Sequence, residues 1–298
     1  MSDWTPDALL PGFEAQVLEF PDDYDGRVLA TLVRLPAGDA PRGPVLYVHG
    51  FVDYFFQRHM AERFAAEGYA FHALDLRKYG RSLLPRQHAN FCKDLAEYDA
   101  ELTAAIEAIG APVLLVGHST GGLICSLYAA RGARRDQVRA LWLNSPFFDW
   151  SVPPFKRAQL GIAALMGQAF PFLNDPKGLR REYGRSLHRQ FGGEWDYDLR
   201  LKPLHGFPVY FGWVGAVFAG QAKVHAGLEI DCPVLCMHSD ETDIVLDWRH
   251  IAKWGRTLGP RATVLAFPGG LHDLVLSRQE VRDAVFSALF SWDSRGAG

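Results

Sequence analysis

Cysteine is scarce in this chain, with four among 298 residues. Cys92, Cys125, Cys232 and Cys236 lie scattered without paired CxxC spacing, which argues against a structural zinc site and against a disulfide framework. So low a count fits a reducing compartment. An excess of charge of one sign is also missing. Lys and Arg number 31 against 34 Asp and Glu, a formal net charge of -3, and no basic run stands out. Nothing therefore points to nucleic acid or to an anionic membrane surface. Long apolar runs are lacking as well. The most apolar stretches, near Leu160–Ala164 and Gly212–Ala219, are broken by Gly, Gln or Pro well before the ~18 residues of a bilayer span. The opening Met-Ser-Asp-Trp-Thr-Pro-Asp has neither a basic n-region nor an apolar h-region, so no signal peptide is expected. Repeats and low-complexity segments are absent. The expectation is a soluble, cytoplasmic protein with no nucleic-acid partner and no transmembrane segment.

What is present reads as a globular enzyme. Hydrophobic residues make up 48% and charged residues 22%, ordinary values for such a chain. Its length suits one large α/β unit carrying an insertion better than two equal domains. The pattern predicts a hairpin from Val17–Phe20 and Val28–Leu35, turned at Pro21–Gly26. Strand–helix alternation follows. Short apolar strands are expected at Val45–Val48, Ala70–Leu74, Pro112–Val116, Ala140–Asn144, Val234–Met237 and Val264–Phe267. Such wholly apolar strands are buried on both faces of a parallel sheet. Helices are expected over Phe55–Glu67, Lys93–Ile109, Leu123–Arg131 and Glu280–Trp292. Repeated βα units imply right-handed crossovers and a mostly parallel central sheet with flanking helices.

The rhythm breaks between about Pro146 and Asp231. That stretch shows no clear strand and carries many aromatics, among them Trp150, Phe155, Phe170, Trp195, Tyr210 and Trp213. It is far longer than a normal connection, so an insertion with its own helices is expected. Residues 1–145 and 232–298 would then form the core, and 146–231 a helical cap whose inner face receives an apolar group. The plainer alternative is a packing subdomain that simply buries its aromatics.

The strongest local signal is Gly117-His118-Ser119-Thr120-Gly121-Gly122, set between a strand and a helix. A serine that attacks a carbonyl must project clear of the sheet. A sharp strand-to-helix turn achieves this, and glycines two residues before and after remove colliding side chains. By itself Gly-x-Ser-x-Gly arises by chance in roughly one chain of this length in ten, so the flanking elements carry the assignment. Serine needs a base, and the base needs an acid. Of eleven histidines, His272 follows the last strand, at the same sheet edge as the Ser119 turn. The acid lies within Asp240-Glu241-Thr242-Asp243. Asp243 is favoured because two apolar residues after it would draw the chain back into the fold, with Asp240 as the alternative. Asp247 reads as a helix cap and Asp273 as a loop carboxylate. Two backbone N–H donors for an oxyanion are expected at Thr120, directly after the serine, and at Phe51, in the turn after Val45–Val48. Within that turn Gly50 allows close approach, and His49 braces the loop.

These residues together resemble the α/β-hydrolase superfamily, and within it the monoacylglycerol lipase/lysophospholipase-like group, also labelled serine aminopeptidase-like. The resemblance spans nearly the whole chain. It rests on the His49-Gly50 turn, Asp75-Leu76-Arg77-Lys78-Tyr79-Gly80-Arg81-Ser82, the Ser119 elbow, the late His272, and an insertion after the strand bearing Asn144. It implies the order Ser–Asp–His, a cap, no cofactor, no metal, and hydrolysis of a small-molecule carboxylic ester with an apolar acyl group. One departure is that the family's usual His-Gly is here His238-Ser239. A serine at position 119 excludes the aspartate chemistry of epoxide hydrolases and dehalogenases. Aminopeptidase, amidase, thioesterase or C–C hydrolase activity on the same triad remains open. So does a hydrolase-fold binding protein with little turnover.

Overall fold

A computed structural model describes residues 3–36, 38–176, 178 and 181–296. The outer ends of the expected core and part of the expected 146–231 insertion therefore lie outside the described residues. The chain begins with β1 (Thr5–Pro6) and the hairpin β2 (Glu14–Asp23) and β3 (Gly26–Arg34). Strand β2 outruns the expected Val17–Phe20 at both ends, whereas β3 starts two residues before Val28 and ends at Arg34, one residue short of Leu35. Glu14 faces Arg34, and their side chains form an ion pair at 2.7 Å. Next come β4 (Pro44–Val48), α1 (Arg58–Ala66), β5 (Ala70–Asp75), α2 (Asp99–Ile109), β6 (Val113–His118), α3 (Thr120–Arg131) and β7 (Val138–Asn144).

Two helix starts fall later than the pattern predicts. Phe55–Gln57 stay outside α1, whose N-cap Gln57 has a non-helical ψ of 64°, and the Phe55 N–H donates to the Asp75 carboxylate at 2.8 Å. Before α2, Leu95–Tyr98 form a 3-10 turn capped by Asp94 and Glu97.

After β7 the chain leaves the sheet through α4 (Pro154–Ala169), β8 (Asn174–Asp175), α5 (Arg181–Leu187), β9 (Val209–Tyr210) and α6 (Phe211–His225). β8 and β9 pair antiparallel. At two residues each, they are too short to leave a period-2 signature in sequence. The core resumes with β10 (Val234–His238), α7 (Trp248–Gly255), β11 (Ala262–Ala266) and α8 (Gln279–Gly296).

Nine strands of the described residues form one sheet in the order β1-β2-β3-β5-β4-β6-β7-β10-β11. Pairing is antiparallel from β1 to β5 and parallel from there to β11. Strand β4 explains the two layers. Leu46 and Val48 join Leu102, Ile106, Leu123 and Leu127 on one face. Val45 and Tyr47 join Met60, Phe64, Val285 and Leu289 on the other. Successive side chains of a strand point to opposite faces, so a strand covered by helices on both sides must be apolar throughout. Phe64 shows the density of this packing, with Phe71, Trp142, Phe286 and Phe290 around it. Full burial of a side chain of that size contributes about 2–3 kcal/mol. Parallel strands place all their C-terminal ends at one rim. Asn144, His118 and His238 end their strands there, and the loops beyond them build the site.

Candidate active site

Ser119 is the single residue between β6 and α3, with φ 51° and ψ -117°. That backbone is strained for a residue with a side chain, at about 1–3 kcal/mol. Three hydrogen bonds hold it. The Ser119 N–H donates to the Asn144 carbonyl at 3.0 Å, and its own carbonyl accepts from Phe147 at 2.9 Å and Leu123 at 3.2 Å. The glycines permit the crossing. A Cβ on Gly121 would stand 2.3 Å from the His49 carbonyl oxygen, and one on Gly117 2.6 Å from the Gly121 oxygen. Backbone cannot give way as a flexible side chain would. Gly121→Ala is thus expected to destabilise the protein by about 3 kcal/mol, the upper end of overpacking penalties. The urea midpoint measures this, and an unchanged midpoint would contradict the packing described here.

His272 Nε2 lies 3.0 Å from Ser119 Oγ, and His272 Nδ1 lies 2.9 Å from Asp243 Oδ2. The side chains of His272 and Asp243 are both buried, whereas Ser119 is half-buried. Burial pushes the Asp243 carboxyl up. The charge and hydrogen bond of His272, with N–H groups from Leu246 and Val245, outweigh that and leave it below the usual carboxylate range. An ionised carboxylate only accepts hydrogen bonds, so Nδ1 carries a proton, and in the neutral ring Nε2 presents its lone pair to the Ser119 hydroxyl. A hydroxyl, imidazole and carboxylate so joined are chemically equipped to generate a nucleophilic oxygen.

Asp243 is thus the carboxylate beside His272, but the reason offered by the sequence is wrong. Ile244 and Val245 do not turn inward, being 63% and 38% exposed. The carboxylate is fixed instead by the Val245 and Leu246 N–H groups, which donate to its Oδ1 at 2.8 and 3.0 Å. Asp240 sits apart from His272. Its Oδ1 accepts from the Thr242 N–H at 3.1 Å and the Gly269 N–H at 3.2 Å. Ser239, standing where the family usually has glycine, donates its hydroxyl to the Gly270 carbonyl. The Thr242 hydroxyl reaches the same carbonyl at 2.6 Å. Asp247 caps α7 through the Arg249 N–H, in keeping with its sequence reading.

The turn after β4 lies against the serine, since a Cβ on Gly50 would be 3.1 Å from Ser119 Cβ. Thr120 is the first residue of α3, so its N–H falls outside the helical ladder. Among the described residues no backbone or side-chain group accepts from the Phe51 N–H. The Phe51 ring stacks on Trp213 of α6, with centroids 3.9 Å apart. Buried His49 accepts from the Leu76 N–H at 3.1 Å, and burial pushes its pKa below the usual value, so it braces the turn in neutral form.

Sequence reasoning missed a buried polar group behind His272. Asp273, expected as a loop carboxylate, is 1% exposed, and burial raises its pKa. It accepts from Asn144 Nδ2 at 2.7 Å and Gln57 Nε2 at 3.4 Å, while its N–H donates to Tyr183 Oη at 2.9 Å. Asn144 thereby ties the end of β7 to the His272 turn. The His118 ring centroid is 5.0 Å from that of His272, and burial pushes His118 down to about 3, keeping it neutral. Asp53, His118 and Asp273 each offer a ligand atom within 4.8 Å of the others. Positive charge is already supplied there by Lys202, whose Nζ lies 2.6 Å from Asp53 Oδ1. Asp53 and Lys202 stand in no motif and lie far apart in the chain, so no spacing pattern links them.

Known proteins repeat this arrangement of fold and chain. Residues 39–279 match the family described as serine aminopeptidase, S33. The monoglyceride lipase of Saccharomyces cerevisiae is 30% identical over 274 residues, 84% of each chain. A monoacylglycerol lipase of Mycolicibacterium smegmatis is 39% identical over 97 residues, 30% of this chain and 34% of that one. The crystal structure of a soluble variant of the yeast monoglyceride lipase, in complex with a substrate analog, superposes with a TM-score of 0.74 at 21% identity. It covers 95% of this chain and 96% of its own. The resemblance drawn from the sequence is therefore borne out, and the chain belongs to the serine aminopeptidase S33 family of α/β-hydrolases.

Proposed function

We propose that the protein is a serine carboxylic ester hydrolase that cleaves a monoacylglycerol, lysophospholipid or similar acyl ester through an acyl-enzyme. The observation that carries this reading is the continuous hydrogen-bonded chain Ser119–His272–Asp243 at the C-terminal rim of the sheet. Ser119 Oγ attacks the ester carbonyl as its proton passes to His272 Nε2. The Asp243 carboxylate stabilises the imidazolium, and the Phe51 and Thr120 N–H groups hold the oxyanion. His272 then protonates the leaving alcohol. Water, deprotonated by the same imidazole, releases the acid and restores Ser119. No step requires a cofactor or a metal.

The segment 146–231 acts in this reading as the cap. Its support is the aromatic group of Phe147, Trp150, Trp213 and Phe218 beside Phe51, which suits an apolar acyl chain. Ester chemistry is favoured over capture of a free amine, because two carboxylates of that segment are engaged at the periphery. Glu194 pairs with Arg282 at 3.0 Å and Asp198 with Arg200 at 2.6 Å. Among the described residues no helix is long and apolar enough to cross a membrane. Four free thiols support placement in a reducing compartment such as the cytoplasm.

The test is an acyl-chain series of p-nitrophenyl esters and monoacylglycerols, with a fluorophosphonate adduct mapped by peptide mass. Turnover of esters and modification of Ser119 are expected. An adduct on another residue, or no turnover across the series, would refute the assignment.

A further inference from the structure

Among the contacts of the inserted segment with the rim of the sheet is one largely buried cation, Lys202. Lys202 follows a short turn in which the N–H groups of Leu201 and Lys202 both donate to the Asp198 carbonyl at 3.0 Å. Its side chain is 12% exposed and that of Asp53 2%. Between them runs an ion pair of 2.6 Å, with the ammonium also over the rings of Phe56 and Tyr197 at 5.4 and 5.7 Å. Asp53 is two residues beyond Phe51. Its Oδ1 also accepts from the Tyr54 N–H at 3.0 Å, and its Oδ2 is buried with no partner among the described residues. Val52, between Phe51 and Asp53, has φ 52°, in the left-handed region that a β-branched residue avoids. A strained turn persists only where its surroundings over-determine it. Here two contacts from the inserted segment do so, Lys202 on Asp53 and the Asp198 N–H on Tyr54 Oη at 2.9 Å.

We infer that Lys202 is a positioning residue. By holding Asp53, it fixes the Val52 backbone and thereby the direction of the Phe51 N–H toward the substrate oxygen. The inserted segment is then part of the machinery that stabilises the oxyanion, in addition to covering the acyl chain. A largely buried ammonium suits this task, since a carboxylate with one oxygen already unpartnered cannot lose its counter-ion without moving. The charge of Lys202 also acts on His49, His118 and Asp273, the buried groups on either side of Ser119.

This inference rests on the esterase reading, and Ser119→Ala in the same assay separates the two. Turnover independent of Ser119 ends both. Turnover that needs Ser119 but ignores Lys202 ends this one alone. Lys202→Met is expected to lower kcat for p-nitrophenyl butyrate by about 100-fold, the scale of a displacement near 1 Å, with KM changed by less than about threefold. Lys202→Arg keeps the charge and is expected to recover most of the loss. The specific readout is the rate ratio between an ester and its thionoester, whose C=S sulfur is a poor acceptor for an oxyanion hole. That ratio should fall by at least about tenfold in Lys202→Met. Should that variant fail to fold, the Lys202→Met/Asp53→Asn pair, which leaves no unpaired buried charge, is read in the same way. Wild-type kcat in a folded variant overturns the inference. So does a lower kcat with an unchanged ester-to-thionoester ratio, because a merely structural role would leave that ratio alone.

Discussion

Ser119→Ala is expected to lower kcat on a monoacylglycerol by about 10⁶-fold, leaving only the residue of catalysis supplied by binding and backbone donors. The effect should be this large because the substitution removes the attacking atom and nothing else. Alanine keeps the Cβ, and the positive φ at position 119 is imposed by hydrogen bonds of the backbone with Asn144, Phe147 and Leu123. Thermal stability should therefore stay close to wild type, which separates lost chemistry from lost fold. His272 keeps Asp243 at Nδ1, so the base remains formed but has no hydroxyl to deprotonate. Retention of more than about a tenth of the wild-type rate, against the ~10⁶-fold loss expected of a nucleophile, would remove Ser119 from the chemistry.

Asp243→Asn is expected to cost about 10⁴-fold in kcat, although it changes the size of the side chain very little. The reason lies in the two N–H groups of Val245 and Leu246, which both donate to the Oδ1 position. In the amide that position must hold the oxygen, since an NH₂ group there would face two donors. The NH₂ group then occupies the Oδ2 position and points a hydrogen at His272 Nδ1. The ring answers by taking the other tautomer, with its proton on Nε2 aimed at Ser119, and ceases to be a base. Asp240→Asn supplies the contrast. Asp240 meets Thr242 and Gly269 and not the imidazole, so its loss is expected to change kcat by less than about tenfold. Equal losses at the two positions would show that loop integrity, and not the imidazole tautomer, is what both substitutions disturb.

The elbow was legible in sequence because close backbone approach leaves a signature in residue type. Where a Cβ would stand 2.3 Å from a carbonyl oxygen, glycine is required, and Gly121 can be read without coordinates. His272 was legible by position, since one rim collects every strand end of a parallel sheet. The choice of Asp243 over Asp240 came out beside His272 for a reason the structure rejects. Backbone N–H groups that fix a carboxylate have no residue preference, and Ile244 and Val245 proved to face solvent. The contacts joining Asp53, His118, Asn144, Asp273 and Lys202 were not legible, although His118 lies in the elbow motif and Asn144 ends a predicted strand. These residues come from two strand ends and three separate loops, and only tertiary packing joins them. Buried charge pairs leave no periodicity, and Asp53 and Lys202 taken alone each resemble an ordinary surface residue. The β8–β9 pair escaped for want of length, and the late start of α1 because the non-helical backbone of Gln57 leaves no mark in residue type.

Ser239, Thr242 and Asp240 all fasten onto the Gly269–Gly270 stretch. Two loops drawn from different strands are in this way stapled into one mechanical piece. Anyone recombining this chain with a relative must therefore carry both loops across together. A hybrid that takes one without the other would inherit a carboxylate and an imidazole cut to different patterns.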